Sequence, residues 1–213
     1  MVSWGPPERG AITIYTVTYV EVRPRSRADA VLLVTRYRET TRTEDGNLRS
    51  EVLTRIGQPH QFAMLEAWTD QAAFDAHAAS TGATRLRDGL QAIRIAPLDC
   101  RAHVGVSVGP LGREAGGTVV WVATHVDVVP PRKDEGLAAL AALAEASRGA
   151  PGNLRFEVVQ QINRPNHFTV IEIWKDAAAL ENRATAEATR RFRDALGPMS
   201  GALYDERLFT ALG

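Results

Sequence analysis

Residues 46–80 read GNLRSEVLTRIGQPHQFAMLEAWTDQAAFDAHAAS, and residues 152–183 read GNLRFEVVQQINRPNHFTVIEIWKDAAALENR. The second stretch is the first shifted by 106 residues: Gly46-Asn47-Leu48-Arg49 falls on Gly152-Asn153-Leu154-Arg155, Pro59 on Pro165, Phe62 on Phe168, and Glu66, Trp68 and Asp70 on Glu172, Trp174 and Asp176. Between Thr18 and Leu90 about 25 of 73 positions are identical to their counterparts without a gap, and others exchange like for like, as Leu65 does with Ile171. A repeat of this length exceeds the roughly 20 to 50 residues of solenoid units, so each copy is expected to be a small domain. The 213-residue chain is expected to divide into a flexible Gly- and Pro-rich tail at 1–10, a first domain at 11–106, a linker at 107–117 (SVGPLGREAGG) and a second domain at 118–213.

Within each copy the period of the apolar residues alternates. Ile12 to Val22 is rich in β-branched and aromatic residues and stops before Pro24, which predicts a strand, with its copy at Thr118 to Val129. Val31, Val34 and Tyr37 recur at helical spacing between Ser26 and Thr43, as do Leu137, Leu140 and Leu143 in the copy. Gly46 and Gly152 end these helices; strands follow at 47–56 and 153–162, turns at Pro59 and Pro165, and third strands at 61–68 and 167–174. Asp70 and Asp176 stand where an N-cap would satisfy free backbone donors of a second helix, which runs to about Leu90 or Leu196. Last strands are expected near 98–106 and 204–212. The order β-α-β-β-α-β is the ferredoxin-like arrangement. It puts helices on one sheet face only, so an apolar opposite face needs a second layer. Two copies can cover each other, which predicts an α+β fold in which two ferredoxin-like repeats form an intramolecular dimeric α+β barrel with helices outside.

Composition narrows the function. Lys plus Arg and Asp plus Glu both count 25, and a zero net charge argues against general affinity for nucleic acid or anionic lipid. With 45% hydrophobic residues the chain has material for a core. The single Cys100 can form neither an internal disulfide nor a thiolate cluster. No stretch reaches the roughly 18 apolar residues of a membrane span, and a cytoplasmic location is the expectation.

The Gly before strand two, the Glu-x-Trp ending strand three, and the Asp, small residues and His that follow, here Gly46, Glu66, Trp68, Asp70, Ala72-Ala73 and His77, resemble the antibiotic biosynthesis monooxygenase family of dimeric α+β barrels. The second copy keeps Gly152, Glu172, Trp174 and Asp176 but has Arg183 in place of the His. The resemblance implies a cofactor-independent monooxygenase that oxidises an aromatic polyketide-like or quinol-type phenol with O2. Its alternative is a non-enzymatic module, either one binding haem or a small aromatic or a structural pseudo-dimer. Haem-degrading relatives carry an Asn on the first strand where this chain has Thr16-Val17-Thr18, and anthrone oxygenases place an Asn where Met64 and Val170 stand.

Oxidising a phenol without metal or flavin makes the substrate its own reductant. The protein must then supply a dry pocket, a base and donors that hold the anion. Of His60, His77, His103, His125 and His167, none pairs at the i, i+4 spacing of a helical metal site, so no metal is expected. His77, Trp68 and Tyr19 are the candidates for catalysis, and Trp174, His125, Trp121, Tyr15 and Arg85 for substrate binding. Each has a structural alternative. Tyr15, Val17 and Tyr19 share one strand face, as do Trp121, Ala123 and His125, and that face lines either the helix–sheet cavity or the barrel interior. Trp68 and Trp174 either cover a pocket or fill the core. Glu66 and Glu172 act as buried bases or pair with Arg49 and Arg155 on the adjacent strand. Arg85, Arg87, Arg191 and Arg193 hold an anion or form a solvated helix face. The first half, which retains its His, is the expected working half. Small aromatic substrate and O2 are the expected partners, with further oligomerisation open.

Overall fold

The computed structural model describes residues 12–110 and 119–212. The tail expected at 1–10 and residues 111–117 of the expected linker lie outside the described residues. Each half folds as a strand, a helix, two strands, two short helices and a strand: β1 (Ile14–Glu21), α1 (Arg27–Thr41), β2 (Asn47–Arg55), β3 (Gln58–Trp68), α2 (Gln71–Ala78), α3 (Thr81–Gln91) and β4 (Asp99–Ser107), then β5 (Val120–Asp127), α4 (Lys133–Arg148), β6 (Asn153–Gln161), β7 (His167–Trp174), α5 (Ala177–Thr185), α6 (Glu187–Leu196) and β8 (Asp205–Ala211). The one long second helix expected in each half is two. Asp70 caps α2 by accepting from the Ala73 amide at 2.9 Å, and Ser80 starts α3 anew by accepting from Ala83 at 3.1 Å. The β2–β3 turn also falls earlier than Pro59, at Gly57, whose φ of +78° suits glycine.

The strands close into one barrel in the order β1-β3-β2-β8-β5-β7-β6-β4. Each half contributes a four-stranded antiparallel sheet whose edge strands would otherwise expose unpaired backbone groups. The edges meet across the halves: Leu53 to Arg55 pair with Ala211 to Phe209, and β4 joins β6 through His103↔Gln161 and its neighbours. Closure removes every edge.

Alternation then assigns two buried faces. Val17, Leu53, Ala63, Leu65, Trp121, Ala123, Ile171, Ile173 and Phe209 fill the barrel interior. The outward faces pack under the helices, as Val20, Phe62 and Met64 do against Val34, Tyr37 and Leu86 in the first half. Burying a Phe or Leu removes enough apolar surface to stabilise by roughly 1.5–3 kcal/mol, so both faces are strongly specified.

The interior also holds charges. Arg49 donates two hydrogen bonds to Glu157, at 2.9 and 2.8 Å, and Arg155 donates to both oxygens of Glu51, at 3.1 and 2.9 Å. These are equivalent pairs related by the repeat. They replace the expected pairing of Arg49 with Glu66 and of Arg155 with Glu172, because the arginines point into the barrel while those glutamates point to the helices. Arg155 also lies over the Trp121 ring, 5.2 Å from its centroid.

Candidate functional site

The polar cluster under α1 and α2 is built by short-range geometry. On β3, period two turns Met64, Glu66 and Trp68 outward together. Gly46 takes a φ of +78° at the end of the α1–β2 loop, bringing the chain so close to α2 that a Cβ there would stand 2.5 Å from that of Ala73. The capped α2 then lays His77 on Trp68, ring centroids 4.4 Å apart and 29° from parallel. From α1, Tyr37 reaches the same point.

The contacts form a chain. The Tyr37 hydroxyl donates to Glu66 Oε1 at 2.7 Å and lies 2.8 Å from His77 Nε2. His77 Nδ1 is 2.7 Å from Glu44 Oε2, and Thr16 donates to the other oxygen of Glu66 at 3.1 Å. Tyr37, Glu66 and His77 are all buried. Burial, and then the adjacent Glu66, push the Tyr37 phenol far above its ordinary range, so it remains a neutral hydroxyl. The cluster borders a cavity of about 130 Å³ whose walls include Thr18, Met64, Phe74, Leu86, Leu98 and Cys100. An apolar cavity of about 150 Å³ takes up a single benzene-sized ring, so this volume suits one small aromatic ring.

In the second half the same positions are filled differently. Arg183, in the place of His77, bonds Glu172 and also Glu206 at 2.9 Å. Those two carboxylates stand where Glu66 and Cys100 stand in the first half. Trp174 donates its Nε1 to Glu172 at 2.8 Å, whereas Trp68 Nε1 has no hydrogen-bond partner among the described residues. Burial works against the charge on Arg183, but Glu172 and then Tyr204 and Glu206 hold its pKa above the ordinary value. Leu143 and Ala150 occupy the positions of Tyr37 and Glu44. The result is an ion-paired core with no imidazole.

The remaining candidates separate from this cluster. Tyr15, Tyr19, Trp121 and His125 face the barrel interior, not the helix–sheet cavity, because the period-two face that carries them is the one closed over by the other half. The Tyr19 hydroxyl is 2.8 Å from His125 Nε2, His125 Nδ1 is 3.1 Å from Thr169 Oγ1, and that oxygen is 3.0 Å from His103 Nε2. Burial lowers the pKa of His125 to about 3 and that of His103 to about 4. Tyr19 also borders a separate cavity of about 160 Å³ at one barrel mouth, with Arg55, Asp99 and Arg207. Arg85 is exposed on α3 and does not border the His77 cavity; Arg87 does. Trp68 and Trp174 are fully buried behind their clusters. His60 and His167 lie beside Glu21 and Asp127. Tyr37 and Glu44 escaped sequence reasoning: Tyr37 reads as one more residue of an apolar helical stripe, and Glu44 as a loop charge. Their one signal is that both are absent from the second copy, as is His77.

Among the described residues no group of three His, Cys, Asp or Glu side chains could hold a metal ion. Both ring nitrogens of His77, the atoms that could ligate a haem iron, are hydrogen-bonded within the cluster. Among the described residues no helix is long and apolar enough to cross a membrane.

Two ferredoxin-like repeats closed into one barrel, with a titratable cluster under the helices of one repeat, define a dimeric α+β barrel fused into one chain. The model of the antibiotic biosynthesis monooxygenase family matches residues 13–88 and again 119–195, and the chain belongs to that family. The protein YcnE of Bacillus subtilis (strain 168), whose name assigns it provisionally as a monooxygenase, is 30% identical over 63 residues, 30% of this chain and 66% of its own length. The match therefore spans just under two thirds of that relative. Among solved structures, FN1347 of Fusobacterium nucleatum subsp. nucleatum ATCC 25586 superposes with a TM-score of 0.83 at 17% identity, covering 95% of this chain and 94% of its own. A protein of Lactobacillus acidophilus NCFM gives 0.77 at 14% with 95% of each chain covered, and an anthrone oxidase-like protein 0.73 at 13% with 95% and 92%. At these identities the likeness is one of fold.

Proposed function

We propose that the first half is a monooxygenase site that oxidises a small electron-rich phenol, of the quinol or aromatic polyketide class, with O2 and no metal or flavin. One observation carries the reading: a buried His–Tyr–Glu cluster borders a ring-sized apolar cavity in the half that keeps its histidine, while the other half has replaced it with an ion-paired arginine. Family membership and the names of the relatives support oxygen chemistry of this kind. The phenolic proton leaves toward the His77 cluster, the anion passes an electron to O2, and radical recombination places one oxygen atom on the ring while the other leaves as water. The substrate supplies every electron. Apolar walls exclude water from the anion, and the cluster takes up the proton. Trp68 supports the His77 ring from behind. The second half, on this reading, serves the fold.

The test is isotopic. With hydroquinone and 18O2, one labelled atom is expected in a hydroxyquinone product formed by the wild-type protein, and His77→Ala should reduce its formation by about 10²-fold or more. Product without label, or an undiminished rate in the variant, would refute the proposal.

A further inference from the structure

Both ring nitrogens of His77 are already bonded within the protein, Nδ1 to Glu44 and Nε2 to Tyr37. A phenol entering the cavity therefore meets the Tyr37 oxygen in the path to the imidazole. Glu66 and Glu44 are carboxylates on the other sides of the same chain. We propose that Tyr37 is a catalytic residue that relays the substrate proton to His77, with Glu44 positioning the imidazole; this rests on the monooxygenase reading above and deepens it.

Hydrogen-bond counting defines the two ends of the step. With neutral His77, Nδ1–H donates to Glu44, and the Nε2 lone pair accepts the Tyr37 hydroxyl. When the phenol donates its proton to the Tyr37 oxygen, the tyrosine proton moves to Nε2. One substrate O–H bond breaks, the tyrosine O–H bond is exchanged, and one N–H bond forms, with no change in oxidation state. The product state has an imidazolium donating to Glu44 and to Tyr37, and Tyr37 turning its proton to Glu66, so both ends of the step use the same three heavy-atom contacts. The phenolate is left ready to give up an electron. The internal repeat supports this grouping: Thr16, Tyr37, Glu44 and His77 stand opposite Val122, Leu143, Ala150 and Arg183, so of these polar partners only the glutamate, Glu66 and Glu172, is present in both halves. Residues with unrelated structural duties would have no reason to change together.

Two readouts test the relay. The first is oxygen uptake with hydroquinone, corrected for its rate without protein. Tyr37→Phe should lose about 10²-fold in kcat with a smaller change in KM. Glu44→Gln keeps an acceptor for Nδ1–H but removes the charge, and should lower the rate and move the acidic limb of the pH–rate profile to lower pH. The charged and titratable groups facing His77 in that experiment are Glu44, Tyr37 and Glu66, with Arg87 and Cys100 across the cavity. The second readout needs no turnover: by 19F NMR, wild-type protein should bind 4-fluorophenol more tightly than fluorobenzene, and Tyr37→Phe should lower the fluorophenol affinity about tenfold while sparing fluorobenzene. Should the wild-type protein oxidise no hydroquinone, the functional reading fails and the fluorophenol comparison alone decides the Tyr37 contact. Turnover by Tyr37→Phe within threefold of wild type overturns the relay. So does a wild-type protein that does not distinguish the two fluoro compounds. If Tyr37→Phe does not fold, Glu44→Gln decides: an unmoved pH profile overturns the proposal.

Discussion

The Tyr19 hydroxyl lies 2.8 Å from Nε2 of His125, which is its own counterpart 106 residues along the chain. Two equivalent positions touch only near the axis that relates the halves, so this bond lies close to that axis and joins one half to the other. His125 continues through Thr169 to His103, and both imidazoles are held neutral by burial.

Acid should therefore unfold the barrel through these histidines. Their folded pKa values, about 3 and about 4, lie below the unfolded value near 6.5. The unfolded chain binds the extra protons, so their contribution is complete above about pH 6.5 and is lost as the pH falls toward 4 for His103 and toward 3 for His125. At pH 5 the loss should reach about 2 kcal/mol or less per histidine. Urea midpoints at pH 7 and pH 5 measure it; a His103→Gln, His125→Gln double variant should show a smaller difference, and an equal difference would point elsewhere.

The interior ion pairs make the second prediction. Glu157 is fully buried and accepts both bonds from Arg49. Glu157→Ala removes both hydrogen bonds to that guanidinium, leaving it only the longer 3.6 Å contact with Glu51, and should cost up to about 3–5 kcal/mol, whereas replacing both members with apolar residues of similar volume should cost far less. A double-mutant cycle in chemical denaturation reads the coupling directly. Additive losses would mean the pair is already screened.

Glycine provides a third, internally controlled comparison. Gly46 and Gly57 share a φ of +78°, but a Cβ at Gly46 meets Ala73 and Thr69 while one at Gly57 meets nothing within 4 Å. Gly57→Ala should cost only the left-handed backbone strain, about 1–2 kcal/mol. Gly46→Ala should cost more, since α2 must move as well. Because α2 carries His77, the same variant should also weaken fluorophenol binding. Equal unfolding midpoints for the two variants would show that α2 yields freely.

The repeat, the element order and the closed barrel were legible because GNLR, Glu-x-Trp and the capping aspartates recur at one spacing. The faces were legible only in pairs. Period two put Tyr19 with Tyr15, and Glu66 with Trp68, yet both faces of these strands are buried, so nothing in the alternation says which one meets the helices. The mates of Arg49 and Glu51 were hidden for a related reason: the sequence offers Arg49 a partner on the adjacent strand, Glu66, and only the other half reveals that Arg49 and Glu51 find theirs inside the barrel. The break between α2 and α3 was missed because Ser80 is a weak signal within an otherwise continuous helical pattern. Tyr37 was read as apolar because its ring does pack with Val34 and Leu86, while its hydroxyl has a second task.

The unequal halves are the central claim, and one experiment addresses them together. Hydroquinone oxidation would be compared between His77→Ala and a paired Arg183→Met, Glu172→Gln variant, which removes both buried charges of the second-half cluster and leaves only the partly exposed Glu206 without its arginine. The account predicts a loss of about 10²-fold or more for the first and a rate within about threefold of wild type for the second, once both are shown to be folded. Equal losses in the two proteins would contradict it.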